Sequence, residues 1–140
     1  MAKNLDKEGL RSIVENYDIF YIDLWGVVHN GITLHKEAIK TLEQITKSKK
    51  DYVLLTNAPR PNKTVNSFLE KMGMNKEIRE KVYSSGEASL NYLKKNLLED
   101  KFYHVGPPRD FDLFLDFKKN KILEIEESKY LLCTGLFEDQ

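Results

Sequence analysis

The sequence predicts an α/β fold, a Rossmann-like doubly wound parallel sheet, on three observations. Short apolar, β-prone runs recur along the 140 residues. Segments with apolar residues at helical spacing separate them, which is the alternation of a sheet covered by helices. The first run, Ile19-Phe20-Tyr21-Ile22-Asp23, ends in a carboxylate with Gly26 close behind. Open α/β folds bind their ligands in the crevice at such strand ends.

Taken in order, Leu10, Ile13, Val14 and Tyr17 predict an opening amphipathic helix before the strand at residues 19 to 23. A loop from Trp25 to Gly31 follows. Ala38, Ile39, Leu42 and Ile45 mark the next helix, whose basic end around Lys47, Lys49 and Lys50 suits its dipole. Tyr52-Val53-Leu54-Leu55 is a second buried strand, closing one βαβ unit. After Thr56-Asn57-Ala58-Pro59-Arg60-Pro61, the prolines favour an extended loop and a helix start, with Val65, Phe68, Leu69 and Met72 as the stripe and Gly73 as C-cap. Val82-Tyr83-Ser84 is a third strand, and Ser84-Ser85-Gly86-Glu87 reads as the cap of a helix bearing Leu90, Leu93 and Leu97. Phe102 to Val105 and Tyr130 to Cys133 are further strands, with Pro107-Pro108 and a helix around Leu113, Phe114 and Phe117 between them. The alternation stops after a strand, at Gly135 to Gln140, so the chain reads as cut short.

Composition narrows the function classes. Charged residues balance to a formal net of zero, which gives no whole-chain field for nucleic acid or an anionic membrane. The N-terminus, with Lys3, Asp6, Lys7 and Glu8, lacks the apolar core of a signal peptide, and no apolar run is long enough to span a bilayer. The single cysteine, Cys133, permits no internal disulfide and reads as a buried small hydrophobe; the expectation is a cytoplasmic protein.

Asp23 and Thr56-Asn57 close two strands that one crossover helix joins, so they become neighbours at one end of the sheet. A carboxylate can attack phosphorus or carbon while a hydroxyl and backbone N–H groups hold the oxygens that gain charge. The remaining polar residues have plainer readings. His29 reads as a solvated loop histidine near the site, His35 and His104 as less involved, and Arg109 as a surface residue of the turn at Gly106 to Asp110.

Asp-Leu-Trp-Gly-Val-Val-His-Asn-Gly at 23 to 31 and Leu-Leu-Thr-Asn-Ala-Pro-Arg at 54 to 60 resemble the first two motifs of the haloacid dehalogenase superfamily of hydrolases. The likeness is greatest to the class IIA branch, which includes sugar-phosphate and nucleotide phosphatases and inserts an α/β cap after the second motif. The resemblance implies that residues 1–80 are the N-terminal half of a catalytic core and residues 81–140 the beginning of a cap. It implies a small phosphorylated metabolite as substrate. Asp23 would be the nucleophile and, with the main-chain carbonyl of Trp25, a ligand of Mg2+, which suits oxygen donors. Thr56, Asn57 and Arg60 would bind or position the transferring group.

Two departures accompany the resemblance. Trp25 stands where the family's phosphatases place a second aspartate as acid and base, and an indole N–H does not titrate near neutral pH. Losing a positioned acid/base typically costs about two to four orders of magnitude in rate. Family dehalogenases carry an aromatic there, which keeps carbon–halogen cleavage as the second chemistry. The lysine of the third motif and the acidic ligands of the fourth are also absent; Glu138-Asp139 falls where cap sequence should still run. The competing expectation is a non-catalytic interaction module. Its unpaired strand edges would drive self-association or recruit a complementary C-terminal half.

Overall fold

The computed structural model describes residues 5–135. Two three-stranded parallel sheets follow one another along the chain. The first has the order β1 (Ile19–Asp23), β2 (Asp51–Thr56), β3 (Val82–Ser84), so each crossover moves the chain one strand in the same direction. Right-handed crossovers then place the intervening helices α2 (Lys36–Lys47) and α3 (Asn62–Lys71) on one face. The short α4 (Lys76–Arg79) adds Ile78 to that layer. Between helices and sheet lie Leu42, Ile45, Tyr52, Leu54, Leu69 and Val82. The opposite face leaves Tyr21, Leu55 and Tyr83 exposed among the described residues.

The predicted opening helix is a correction. The chain forms only α1 (Leu5–Glu8) and two 3-10 turns, Leu10–Ser12 and Val14–Asn16. Gly9, at φ +65°, ends the first turn of helix, and Leu10 alone of the four stripe residues is packed against the core cluster. A repeating apolar pattern without a surface to bury it does not sustain a helix this short.

The remaining predicted elements of the first sheet are present, and Gly73, at φ +83°, follows α3 as its C-terminal stop. Because Val82–Ser84 pairs with β2, the first sheet runs past residue 80 and the change of sheet falls after Ser84. Helix α5 (Ser85–Asn96) leads across it. The Ser84 hydroxyl accepts the Glu87 N–H at 3.0 Å, the N-cap expected there.

The second sheet has the order β5 (Lys121–Ile122), β4 (Phe102–Val105), β6 (Tyr130–Cys133). Its core gathers Leu90 and Leu93 of α5 and the helix's C-cap Leu97 with Phe102, Leu113 and Phe114. The helix expected around Leu113 to Phe117 is a 3-10 segment, Pro108–Asn120, with non-helical backbone at Phe114 and Phe117. Leu113 and Phe114, at the first of these breaks, are both buried. β5 was not anticipated: two residues carry no readable period. Cys133 is exposed, not buried, because alternation on β6 turns Leu132 inward instead.

Candidate active site

β1 and β2 run parallel with Asp23 opposite Leu55, which brings Asp23 and Thr56 to the same end of the first sheet. Both side chains line a shallow cleft of about 280 Å³, with Asn57, Tyr83 and Ser85 around it. Asp23 is exposed; its Oδ1 accepts the Leu24 N–H at 2.9 Å, which leaves the second oxygen to the cleft. The Thr56 hydroxyl accepts the Ala58 N–H at 3.3 Å, so the loop after β2 is wound back toward the strand tip.

Thr56 also lines a larger cavity of about 730 Å³, shared by the two α/β units. The first unit supplies Trp25, His29 and Phe68, and the second supplies Pro107, Arg109 and Asp110. Thr56 therefore joins the small cleft that holds the Asp23 carboxyl to a wider chamber.

The loop after β1 is tightly wound: the Val28 and His29 N–H groups both donate to the Leu24 carbonyl, and Gly26 N–H donates to the His29 carbonyl. Gly31 sits under the Trp25 indole, where a Cβ would lie 2.6 Å from the ring; together with a φ of +90° this requires glycine. His29 is 4% exposed, which corrects its reading as solvated. Burial, together with His35, pulls its pKa below the usual imidazole value against the opposing pull of Asp23. Edge-on rings of Trp25 at 5.7 Å and Phe68 at 5.8 Å flank it.

Arg60 reaches across to the second unit. Its guanidinium lies 3.5 Å from both the Asp110 and the Asp112 carboxylates, and Asp112 also accepts the Thr64 hydroxyl at 2.7 Å. Arg60's backbone is fixed as well: its carbonyl accepts the Ser84 hydroxyl at 2.6 Å, and Gly86 packs so closely against it that no Cβ fits. Sequence reasoning missed Asp110, Asp112 and Thr64. The alternation Asp110-Phe111-Asp112 after the paired prolines was the available signal, but nothing local ties it to a residue fifty positions earlier.

Hard oxygen donors at the strand tip suit Mg2+: the open Asp23 oxygen, with the Trp25 main-chain carbonyl two residues on. Among the described residues no cluster of three or more acidic, histidine or cysteine side chains could enclose a metal, so this donor set is partial. Glu138-Asp139 lie outside the described residues.

A family model for haloacid dehalogenase-like hydrolases matches residues 20–117. Phosphoglycolate phosphatase 2 from Arabidopsis thaliana is 26% identical over 94% of this chain and 50% of its own length. A haloacid dehalogenase-like family hydrolase from Brucella suis superposes with a TM-score of 0.78 at 28% identity, over 93% of this chain and 49% of that one. Glycerol phosphate phosphatase from Mycobacterium tuberculosis, solved with magnesium, shares the fold with a TM-score of 0.63 at 20% identity, over 89% of this chain and 38% of that one. The chain thus spans about half the length of the relatives it matches. The matched segment holds both strand tips and the loops that carry Asp23 and Thr56, and the chain belongs to the haloacid dehalogenase-like hydrolases.

Proposed function

We propose that this chain is the nucleophile-bearing part of a Mg2+-dependent phosphatase of the class IIA type that acts on small phosphorylated metabolites in the cytoplasm. The observation that carries the reading is the placement of Asp23 and Thr56 on one cleft at the ends of adjacent parallel strands. The first sheet, through β3, belongs to the catalytic core in this reading and the chain after Ser84 begins the cap, with the remaining core motifs supplied outside the chain.

The open Asp23 oxygen attacks phosphorus, forming an aspartyl O–P bond as the bond to the leaving alcohol breaks; water later cleaves the acyl phosphate. The Thr56 hydroxyl and the amides after β2 hold the phosphoryl oxygens, and Asn57 positions them. Bound Mg2+ would neutralise charge on the transferring group. Arg60, already committed to two carboxylates, orients the loop after β2 more than it contacts the anion. Trp25 offers no titrating proton, so the leaving alcohol must depart with less help than in relatives that carry an acid there. Esters of acidic alcohols are then favoured: p-nitrophenyl phosphate should outpace alkyl phosphates by about two to four orders of magnitude.

The test is phosphate release from a phosphomonoester panel by the gene product that carries this chain. Asp23→Asn should abolish it, whereas turnover that survives that change, or that proceeds without a divalent metal, overturns the proposal. Trp25 also favours a second chemistry, carbon–halogen cleavage, which chloride release from haloacids would reveal. The exposed sheet face at Tyr21, Leu55 and Tyr83 favours an interaction role, for which sedimentation should detect self-association.

A further inference from the structure

Ser84-Ser85-Gly86-Glu87 has the spacing of a capping box, in which a serine hydroxyl takes the N–H of the third helical residue and that residue's side chain returns to the serine N–H. The first half is made, with the Ser84 hydroxyl accepting the Glu87 N–H. The return half is diverted. Glu87 Oε2 accepts the N–H of Asn62, the first residue of α3, at 2.9 Å, and Asn62 Oδ1 takes the Ser84 N–H at 2.9 Å instead. The starts of α3 and α5 thus cap one another across the sequence between them.

The loop after β2 runs into this joint. Pro59 and Pro61 carry no N–H, so the loop offers carbonyls, while a helix N-terminus offers donors that have no partner in their own helix. The two sets meet. The Ala58 carbonyl accepts the Ser85 hydroxyl at 3.0 Å and the Gly86 N–H at 3.1 Å, and the Arg60 carbonyl accepts the Ser84 hydroxyl. Gly86 stands in the first turn of α5, where alanine is the better helix former, because a Cβ there would lie 2.3 Å from the Arg60 nitrogen.

Ala58 passes this fit on to the candidate site. Its N–H donates to the Thr56 hydroxyl at 3.3 Å, which leaves the Thr56 proton for an acceptor in the cleft that Asp23 lines. Glu87 and Asn62 border neither that cleft nor the large cavity, so any effect they have on a ligand there travels through the loop. Resting on the phosphatase reading above, we propose that Glu87 and Asn62 are positioning residues, which hold the backbone of 58–62 so that Thr56 and Asn57 meet the phosphoryl oxygens. The grip on the anion is then set from α5 and not by β2 alone. None of these bonds reaches the loop after β1, where the Mg2+ donors would lie.

Calorimetric titration of the gene product that carries this chain, with inorganic phosphate in the presence of Mg2+ and with Mg2+ alone, separates the two grips. Wild type is compared with Glu87→Ala, Glu87→Gln and Asn62→Ala. Glu87→Ala should weaken phosphate roughly tenfold, the value of one hydrogen bond to a charged acceptor, and leave Mg2+ within about twofold. Glu87→Gln keeps an acceptor oxygen for the Asn62 N–H and should recover most of the loss. Asn62→Ala, which breaks the joint from the other side, should reproduce it. Weakening of both ligands or of neither in either alanine variant, or a Glu87→Gln protein no better than Glu87→Ala, overturns the positioning role and leaves the phosphatase reading standing. A wild type to which phosphate or Mg2+ does not bind overturns that reading, and the positioning role with it.

Discussion

The two α/β units use the same strand-and-helix logic but differ in how well they are covered. In the first, regular helices α2 and α3 lay continuous stripes over β1 to β3, enclosing eleven buried hydrophobic side chains among the described residues. In the second, one α-helix and an irregular 3-10 segment enclose six. Buried apolar area scales with such a count, so the first unit has the greater reserve of stability and the second is the one that opens first. Asp23 and Thr56 stand on the better supported unit, while much of the large cavity's far wall belongs to the weaker one. The geometry thus sets the proposed reacting groups on the better covered unit and the far wall of the large cavity on the less covered one.

The largest expected effect comes from emptying the smaller core. Phe102, fully buried and edge-on to Phe114 at 5.7 Å, anchors the second sheet. Phe102→Ala should cost about 3–5 kcal/mol of that unit's stability. Amide exchange should show β4 and β6 losing protection while β1 and β2 keep theirs; equal loss in both sheets would mean that the units unfold as one. Leu69→Ala, in the first core, should cost about 2–5 kcal/mol by chemical denaturation and should expose both units, since the second has little to stand on alone.

The joint between the units is the next place to probe. Asp112→Asn leaves the Thr64 hydroxyl with a neutral acceptor and Arg60 with one carboxylate instead of two. For these partly enclosed groups the expected cost is about 1 kcal/mol, and loop amides near Arg60 should exchange faster. An unchanged exchange pattern would show that the ion cluster does not hold the units together.

The smallest effect is one of pH. Burial lowers the His104 pKa in the folded chain, helped by Lys121 and opposed by Asp110, so the unfolded chain binds that proton more tightly. Its contribution is complete above the unfolded value of 6.5 and is lost as pH falls through that value toward the lower folded one. Denaturant midpoints should therefore decline over this window, and His104→Gln should remove part of the decline while leaving stability above pH 7 within about 0.5 kcal/mol. A decline of the same size in the variant would assign it to other groups.

Legibility in the sequence followed the same division between units. β1, α2, β2, α3, β3 and α5 could be read because each buries a regular apolar period against a sheet, so pattern and structure share a cause. The strand ends at Asp23 and Thr56 were legible for the same reason. The 3-10 segment was not, because Phe114 and Phe117 leave helical geometry to suit a surface formed by residues far away in the chain. The partners of Arg60 and the burial of His29 also depend on distant groups: Asp110 and Asp112 in one case, Phe68 in the other. Cys133 shows the limit within a strand, since a run of apolar residues does not say which alternate set faces the core.

The central claim is that the carboxylate closing β1 becomes covalently phosphorylated. The direct measurement is to acid-quench the gene product during turnover of p-nitrophenyl phosphate, reduce any acyl phosphate with borohydride, and locate the product by peptide mass spectrometry. Homoserine at position 23, absent without substrate, is the expected result. Continued phosphate release with no modification at Asp23, or with the modification on another carboxylate, would contradict it.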